Sequence, residues 1–194
     1  CGAVGNSTGG PQGANADWMH INSVNYNPEL DQIVISSRTQ NEIYIIDHST
    51  TIEEAAGHIG GNSGKGGDFL YRWGNPANYG RGEASDRILA SQHSVNWIPS
   101  NYPGGGNIIL FNNFHEDNQS AILEVTTPIE DGYYTLEQNA PYGPETWSWM
   151  YNGGNITTPM QGGAFRLGNG NTFITQTHTS RMLEVDLDGN ILWE

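Results

Sequence analysis

Two histidines stand beside a repeated phrase, and they are the residues of this chain best placed to do chemistry. His20 lies three residues before Ser23-Val24-Asn25-Tyr26, and His93 lies immediately before Ser94-Val95-Asn96-Trp97. Each phrase leads through a turn with Pro or Gly into an apolar strand. The repeat therefore predicts several strands whose histidines come together at one site. An imidazole can serve there as nucleophile, acid or base, because its pKa is easily tuned near neutral pH.

For both histidines the alternative is a buried, hydrogen-bonded ring at the start of a strand. The other histidines carry weaker signals. His178 lies in what resembles a third copy of the unit, and a site role and a structural role are both open for it. His48 follows a predicted strand and is expected in a turn. His58 and His115 are either ligands in loops or solvated side chains, and we favour the solvated interpretation.

The formal net charge of −14 comes from 21 acidic residues against 7 lysines and arginines. This balance argues against nucleic acid as a partner, because the chain has too few basic groups to neutralise a phosphate backbone. An anionic substrate can bind only where the few cations or the histidines cluster. No stretch approaches the length and apolarity of a membrane span, so we expect none.

The single cysteine, Cys1, excludes an internal disulfide and a cysteine-rich metal site. Cys1 matches the lipid-bearing cysteine of a processed bacterial lipoprotein, or the numbering simply begins there; we favour the second interpretation. Residues 1–16 are rich in Gly, Ser, Asn and Ala and are predicted to be a flexible leader.

Composition and patterning predict an all-β chain. It has 26 glycines and 9 prolines with 6 tryptophans and 9 tyrosines, which is typical of short aromatic-rich strands joined by many turns. Helical periodicity is confined to 51–56. Long irregular insertions at about 57–87 and 126–160 separate three similar units, and insertions of this length are usually functional loops.

Units that recur at roughly 60–80 residues with four strands each indicate the blades of a β-propeller. We expect this domain to run from 17 to 194. Three blades do not close a propeller, so the chain is expected to be a fragment. Its open strand edges would need the remainder of the propeller, or a second copy in a homo-oligomer, to cover them.

Several segments carry a resemblance to a known family: Asp17–Val24, Ile35–Arg38, Gln92–Val95 and Gly168–Asp186. They resemble the arylsulfotransferase family, the bacterial PAPS-independent aryl-sulfate sulfotransferases. The block HIGGNSGKGGDFLYRWG, from His58 to Gly74, resembles a subgroup whose Gly-rich stretch ends in LYRWGNP. The matches are scattered from about residue 17 to 194.

The resemblance implies a six-bladed propeller in the periplasm or outside the cell. It also implies transfer of a sulfuryl group from an aryl sulfate to a phenolic acceptor through a sulfohistidine, without a cofactor. By motif, His20 and His93 match two histidines of the family site, and His178 lies in the right blade for a third. We expect His93 or His178 as the nucleophile, and His20 as the group that holds sulfuryl oxygens and protonates the leaving phenoxide.

The family site also contains an arginine near the central channel, expected in the loop after the second unit's buried strand. Here that loop, 112–118, has none. The alternative hypothesis is therefore a non-catalytic propeller that binds a ligand or a partner protein at the channel mouth. Sulfate could be held by Arg38, directly after a buried strand, or by Arg181, in the equivalent turn of the third unit. A surface salt bridge is open for each.

The segment Gly64-Lys65-Gly66-Gly67 fails as a phosphate loop, because Ile59 replaces a required glycine and Gly66 stands where Ser or Thr should hold magnesium. We expect instead a tight loop whose exposed amides and Lys65 face an anion, with a flexible surface loop as the alternative. Aromatic residues at the channel mouth would sandwich an aryl ring. The candidates are Tyr102, Trp147 and Trp149.

Overall fold

The computed structural model describes residues 17–116 and 119–194, and this part of the chain is built mainly of antiparallel β-strands. Helix is limited there to a short α-helix, α1 (Ile52–Ala55), and to 3-10 turns at Pro76–Tyr79, Ala84–Asp86 and Thr177–Thr179. The all-β class and the helical segment expected at 51–56 are therefore confirmed. Cys1 and the predicted leader 1–16 lie outside the described residues.

Three four-stranded antiparallel sheets follow one another along the chain. Sheet 1 contains β1 (Ile21–Asn27), β2 (Gln32–Ser37), β3 (Glu42–Asp47) and β4 (Tyr71–Trp73). Sheet 2 begins with β5 (His93–Trp97), β6 (Ile108–Glu116) and β7 (Gln119–Val125). A small hairpin, β8 (Ile129–Glu130) and β9 (Tyr133–Tyr134), precedes the fourth strand of sheet 2, β10 (Trp149–Tyr151), which pairs with β7. Sheet 3 contains β11 (Gly163–Arg166), β12 (Thr172–Gln176), β13 (Arg181–Val185) and β14 (Ile191–Trp193).

Sheet 2 lies between the other two because its strands are apolar on both faces. Along β6, Ile108 and Leu110 pack into a core shared with sheet 1, whereas Ile109 and Phe111 pack into a core shared with sheet 3. Successive side chains of a strand point to opposite faces, so an unbroken apolar run fills two cores at once. The expected buried strands are confirmed. The sheets are open, and closure into a ring stays a prediction.

The repeated phrase joins the first strands of the three sheets. Ser23 Oγ accepts a hydrogen bond from the Val95 amide at 3.0 Å, and Asn25 Oδ1 accepts one from the Trp97 amide at 3.1 Å. One sheet further on, Ser94 Oγ accepts from the Ala164 amide at 3.4 Å, and Asn96 Nδ2 donates to the Ala164 carbonyl at 3.1 Å. Ser and Asn are two residues apart, so both side chains leave the strand on one face.

These bonds supply partners to backbone groups at the edges of the sheets. The strands β1, β5 and β11 each lie at the edge of their own sheet, where backbone groups lack ladder partners. The Ser and Asn side chains of one first strand supply partners to the next. The phrase is therefore the element that holds β1, β5 and β11 side by side.

The two long insertions supply regular structure as well as loops. The insertion at 57–87 contains β4, the outer strand of sheet 1, and the insertion at 126–160 contains β10, the outer strand of sheet 2. In sheets 1 and 2 the fourth strand is thus reached only after a long insertion, whereas in sheet 3 β14 follows β13 closely. This delay explains why the units look irregular in the sequence.

The Gly-rich loop packs against α1 rather than opening toward an anion. The amides of Gly64, Gly66 and Gly67 donate to the carbonyls of Gly61, Gly60 and Gly57, respectively. Glycine is required at position 67, because a Cβ there would lie 2.0 Å from the carbonyl oxygen of Ala55. The expectation of exposed amides facing an anion is therefore wrong, since the loop folds onto its own backbone.

Two arginines, one on β4 and one on β11, form buried ion pairs. On β4, Arg72 donates to both oxygens of Glu42, at 3.0 and 2.8 Å. On β11, Arg166 donates to Glu124, and its guanidinium lies 4.7 Å from the ring centroid of Trp149. Across 17–116 and 119–194, no helix has the length and apolarity needed to cross a membrane.

The phrase bonds predict a stability effect. We expect Asn96→Ala to lower the free energy of unfolding by about 1–2 kcal/mol, because Asn96 Nδ2 donates to the carbonyls of both Ser94 and Ala164. Urea unfolding of the two proteins measures the difference. The control is Asn101→Ala, at an exposed position whose side chain has no hydrogen bond within the described residues. Equal losses in the two variants would refute a role for the phrase.

Candidate functional site

The starts of the three first strands meet at one end of the sheets. His20 precedes β1 and accepts, through its carbonyl, a hydrogen bond from the Arg38 amide after β2. His93 opens β5, and the amide of Gln161, just before β11, donates to its Nε2 at 3.3 Å. The end of the sheets that carries these residues is called the histidine edge below.

Irregularities in the strand pairing lie beside both histidines and affect the direction of their side chains. The register of β1 with β2 shifts between Ile21 and Ser23, and that of β5 with β6 shifts between His93 and Asn96. His20 itself has φ 45°, in the left-handed region that non-glycine residues seldom adopt. Bulges of this kind re-aim side chains and are frequent next to functional sites.

The neutral ring of His93 has a defined tautomer. Its Nδ1 faces two acceptors, the Ser91 carbonyl at 3.0 Å and Asn113 Oδ1 at 2.8 Å, so Nδ1 carries the proton. Asn113 is itself oriented, because its Nδ2 donates to the carbonyls of Thr158 and Gln161 at 2.8 and 2.7 Å. The lone pair of His93 therefore lies on Nε2, where the Gln161 amide is its one hydrogen-bond donor within 17–116 and 119–194.

Burial keeps His93 uncharged. The residue is 9% exposed, and desolvation lowers the pKa of its imidazole. The hydrogen bonds to Asn113 and Ser91 oppose this shift, whereas the charges of Arg38 and His20 lower the pKa further. A neutral imidazole with a lone pair on Nε2 is the form that acts as a nucleophile.

His20 is held by an acid that the sequence reasoning missed. Its Nδ1 lies 2.5 Å from Asp17 Oδ2, and its side chain is about one third exposed. Because Nδ1 donates to the carboxylate, Nε2 is the atom that can turn to a ligand. The three-residue spacing of Asp17 and His20 was visible in the sequence.

Arg38 is the arginine of the histidine edge, and sheet 1 supplies it. It is half-buried, and its guanidinium has no ion pair within the described residues. Burial is the largest cause of the lowered pKa of His93, and the positive charge of Arg38 lowers that pKa further. The site thus contains an arginine although the loop 112–118, where one was expected, lacks it.

His178 and Arg181 lie at the turn after β12. Thr177 Oγ1 accepts from the Gly162 amide at 2.9 Å, which puts this turn at the same end of the sheets as His93. His178 is exposed, and no described group bonds its ring. Arg181 donates to Glu194 Oε2 at 2.6 Å and to the Gly154 carbonyl, so its charge is engaged there.

The other predicted substrate contacts are remote from His93. Tyr102 lies beyond the opposite end of β5, against Gly168. Trp149 lies three strands away across sheet 2, on β10. Lys65 lies in the Gly-rich loop between β3 and β4. The structure brings His20, Arg38 and His93 together and leaves Tyr102, Trp149 and Lys65 apart from them.

The remaining histidines behave as structural or surface groups. His48 is exposed after β3, as expected for a turn residue, and His58 is 79% exposed and pairs with Asp68 at 2.8 Å. The expectation of a solvated His115 is wrong. It lies on β6 with a side chain only 6% exposed, edge-on to Trp147 at 5.0 Å, because the strand extends further than its polar residues suggest. Across the described ranges, no three His, Cys, Asp or Glu side chains gather as metal ligands.

The effect of the Arg38 charge on His93 predicts a measurable change in the pKa of His93. We expect Arg38→Gln to raise the pKa of His93 toward its ordinary value, because removal of a nearby positive charge favours the imidazolium. NMR titration of the imidazole nitrogens follows it. The exposed Arg87, changed to Gln, is the matched control and should leave the His93 pKa unchanged. An unchanged pKa in Arg38→Gln would contradict the proximity of the two groups.

Comparison with known proteins identifies the family of the chain. A family model described as Arylsulfotransferase (ASST) matches residues 4–130, more than half of the 194-residue chain. Among solved structures, a protein of unknown function from Bacteroides caccae is similar, with 15% identity and a TM-score of 0.43. That match covers 89% of this chain and 44% of the other, so the chain spans less than half of that structure's length. No curated protein matches. On the strength of the family match, the chain belongs to the arylsulfotransferase (ASST) family.

Proposed function

We propose that the histidine edge is the sulfuryl-transfer site of an enzyme that moves a sulfuryl group from an aryl sulfate to a phenolic acceptor. The observation that carries the proposal is a neutral His93 with an oriented ring beside Arg38, whose charge is unpaired within the described residues. Membership of the family supports it. Sulfuryl transfer, like phosphoryl transfer, depends chiefly on positioning and charge stabilisation, which these residues can supply.

In the first half-reaction, Nε2 of His93 attacks the sulfur of the aryl sulfate. The bond between sulfur and the phenolic oxygen breaks, and its electron pair leaves with that oxygen. Arg38 holds the sulfuryl oxygens, and protonated His20 gives its Nε2 proton to the leaving phenoxide. The products are a free phenol and a sulfohistidine.

In the second half-reaction, a phenolic acceptor attacks the sulfur of sulfohistidine. Its hydroxyl proton passes to Nε2 of His20, the bond between sulfur and His93 breaks, and both histidines return to their initial states. The Gln161 amide, which now donates to His93 Nε2 at 3.3 Å, must release that atom when substrate enters. It can then donate to a sulfuryl oxygen.

Two alternatives remain as proposals. His178 could be the nucleophile, since its turn lies at the same end of the sheets. The chain could also be a non-catalytic binding module, and the occupied lone pair of His93 favours this second function. Arg181, Lys65, Tyr102, Trp147 and Trp149 stay predictions as substrate contacts.

We infer that the three sheets are blades of a propeller that works in the periplasm or outside the cell. Apolar side chains on the outer faces support this, because single domains rarely expose such surface. Val24 on sheet 1 and Trp193 on sheet 3 are 63% and 53% exposed. Further blades, or a second copy of the chain, would cover these faces.

Release of phenol tests the proposed transfer. The full-length protein should liberate nitrophenol from 4-nitrophenyl sulfate when a phenol acceptor is present. We expect His93→Gln to lower this rate about a thousandfold, because it removes the nucleophile. His58→Gln, at an exposed histidine, is the matched control. No release by folded wild-type protein would exclude the enzyme and favour the binding module.

Trapping the intermediate identifies the nucleophile. Donor without acceptor should leave one sulfuryl group on the peptide that contains His93, detected by mass spectrometry after an alkaline quench. The neutral lone pair on Nε2 is the reason to expect it there. A sulfuryl group on the His178 peptide, retained in His93→Gln, would assign the role to His178 instead.

A further inference from the structure

A cleft of about 470 Å³ lies between the Gly-rich loop and the segment after β9, and none of its lining residues belongs to the histidine edge. Three cations and three aromatic rings line it: Lys65, Arg72, Arg81, Phe69, Tyr79 and Tyr142. We call it the basic cleft. Three of the chain's 7 lysines and arginines meet here, although the net charge is −14. Such a concentration needs an explanation.

The charges of the basic cleft do not cancel. Arg72 is neutralised by Glu42, which is fully buried beneath it, and Asp68 is the carboxylate in the lining. Lys65 has no ion pair within the described residues. Arg81 donates to the carbonyls of Glu137 and Ala140, at 3.4 and 3.3 Å, and forms no ion pair with a carboxylate among the described residues. Three positive charges against two negative ones leave a net +1.

The aromatic walls are held in place before any ligand arrives. The Arg72 guanidinium lies 4.5 Å from the ring centroid of Tyr79, and the Tyr142 amide donates to the Tyr79 hydroxyl at 3.2 Å. Phe69 stacks on Tyr44 with centroids 4.4 Å apart. Burial raises the pKa of Tyr79 and of Tyr142, so both remain neutral phenols that do not repel an anion.

We propose that the basic cleft binds a small aromatic anion, with its ring against Tyr79 and Tyr142 and its charged group toward Lys65 and Arg81. Rings with preset positions contribute apolar and stacking contacts at little entropic cost. A cation at the rim supplies a charge-assisted bond to a carboxylate or sulfonate. Binding here breaks no bond and is independent of the proposed transfer reaction.

A neighbouring cleft shows why the anion belongs in the basic cleft. That second cleft, of about 630 Å³, shares Tyr79, Arg81 and Tyr142 with the first. It adds the carboxylates of Asp86, Glu137 and Glu145, so one cation faces three acids there. An anion is repelled from that side of Arg81 and attracted to the side of Lys65.

The test uses 2-naphthalenesulfonate, whose sulfur is bound to carbon and cannot be transferred. Isothermal titration of the full-length protein should show binding that survives His93→Gln, since the cleft is separate from the histidine edge. Lys65→Met should weaken binding about fivefold, and Lys65→Arg should restore it, because the side chain acts through its charge. The exposed Arg87, changed to Met, is the matched control and should have no effect.

Two further ligands separate the contributions of ring and charge. Inorganic sulfate and 2-naphthol should each bind more weakly than 2-naphthalenesulfonate. The proposal is overturned if Lys65→Met binds as well as wild type, or if 2-naphthol binds as well as the sulfonate. Loss of binding in His93→Gln would also overturn it, because the ligand would then occupy the histidine edge.

Discussion

Side chain to backbone hydrogen bonds between neighbouring first strands are the interaction on which the arrangement of sheets depends. Ser23 and Asn25 bond to β5, and Ser94 and Asn96 bond to β11. Apolar packing alone would allow the sheets to slide, because it is not directional. Hydrogen bonds to particular amides and carbonyls set the register between sheets. The positions of residues at the ends of these strands follow from that register.

The geometry of the histidine edge follows from this register between the sheets. His20, His93 and Gln161 stand at the entrances of β1, β5 and β11, so the bonds that align the strands also align these residues. Burial and the charge of Arg38 then keep His93 neutral, and Asn113 sets its tautomer. A rigid, partly dry site suits the proposed sulfuryl transfer, since the charge of the group must be met by residues already in position.

The cations show how far sequence reasoning reaches. Arg38 and Arg181 both follow apolar strands and received the same two interpretations. In the fold, Arg181 meets Glu194, whereas Arg38 meets no acid within the described residues and lies near His93. Likewise, the sequence of the Gly-rich loop predicted exposed amides, but in the fold these amides donate to carbonyls of other glycines in the loop. The partner that each group finds in the fold, an acid for Arg181 and carbonyls for the glycine amides, decides such cases.

The sequence by itself was enough to predict the strands and to point to the repeated phrase with its two neighbouring histidines, because these features depend on spacing along a single strand. The unbroken apolar run predicted that β6 is a buried strand, and the phrase marked where β1 and β5 begin. The tertiary structure alone decided that Asn113 and Gln161 hold His93, that His115 is buried, and that Lys65 and Arg81 share a cleft. Those contacts join residues brought together only when whole sheets pack, and no local pattern encodes them.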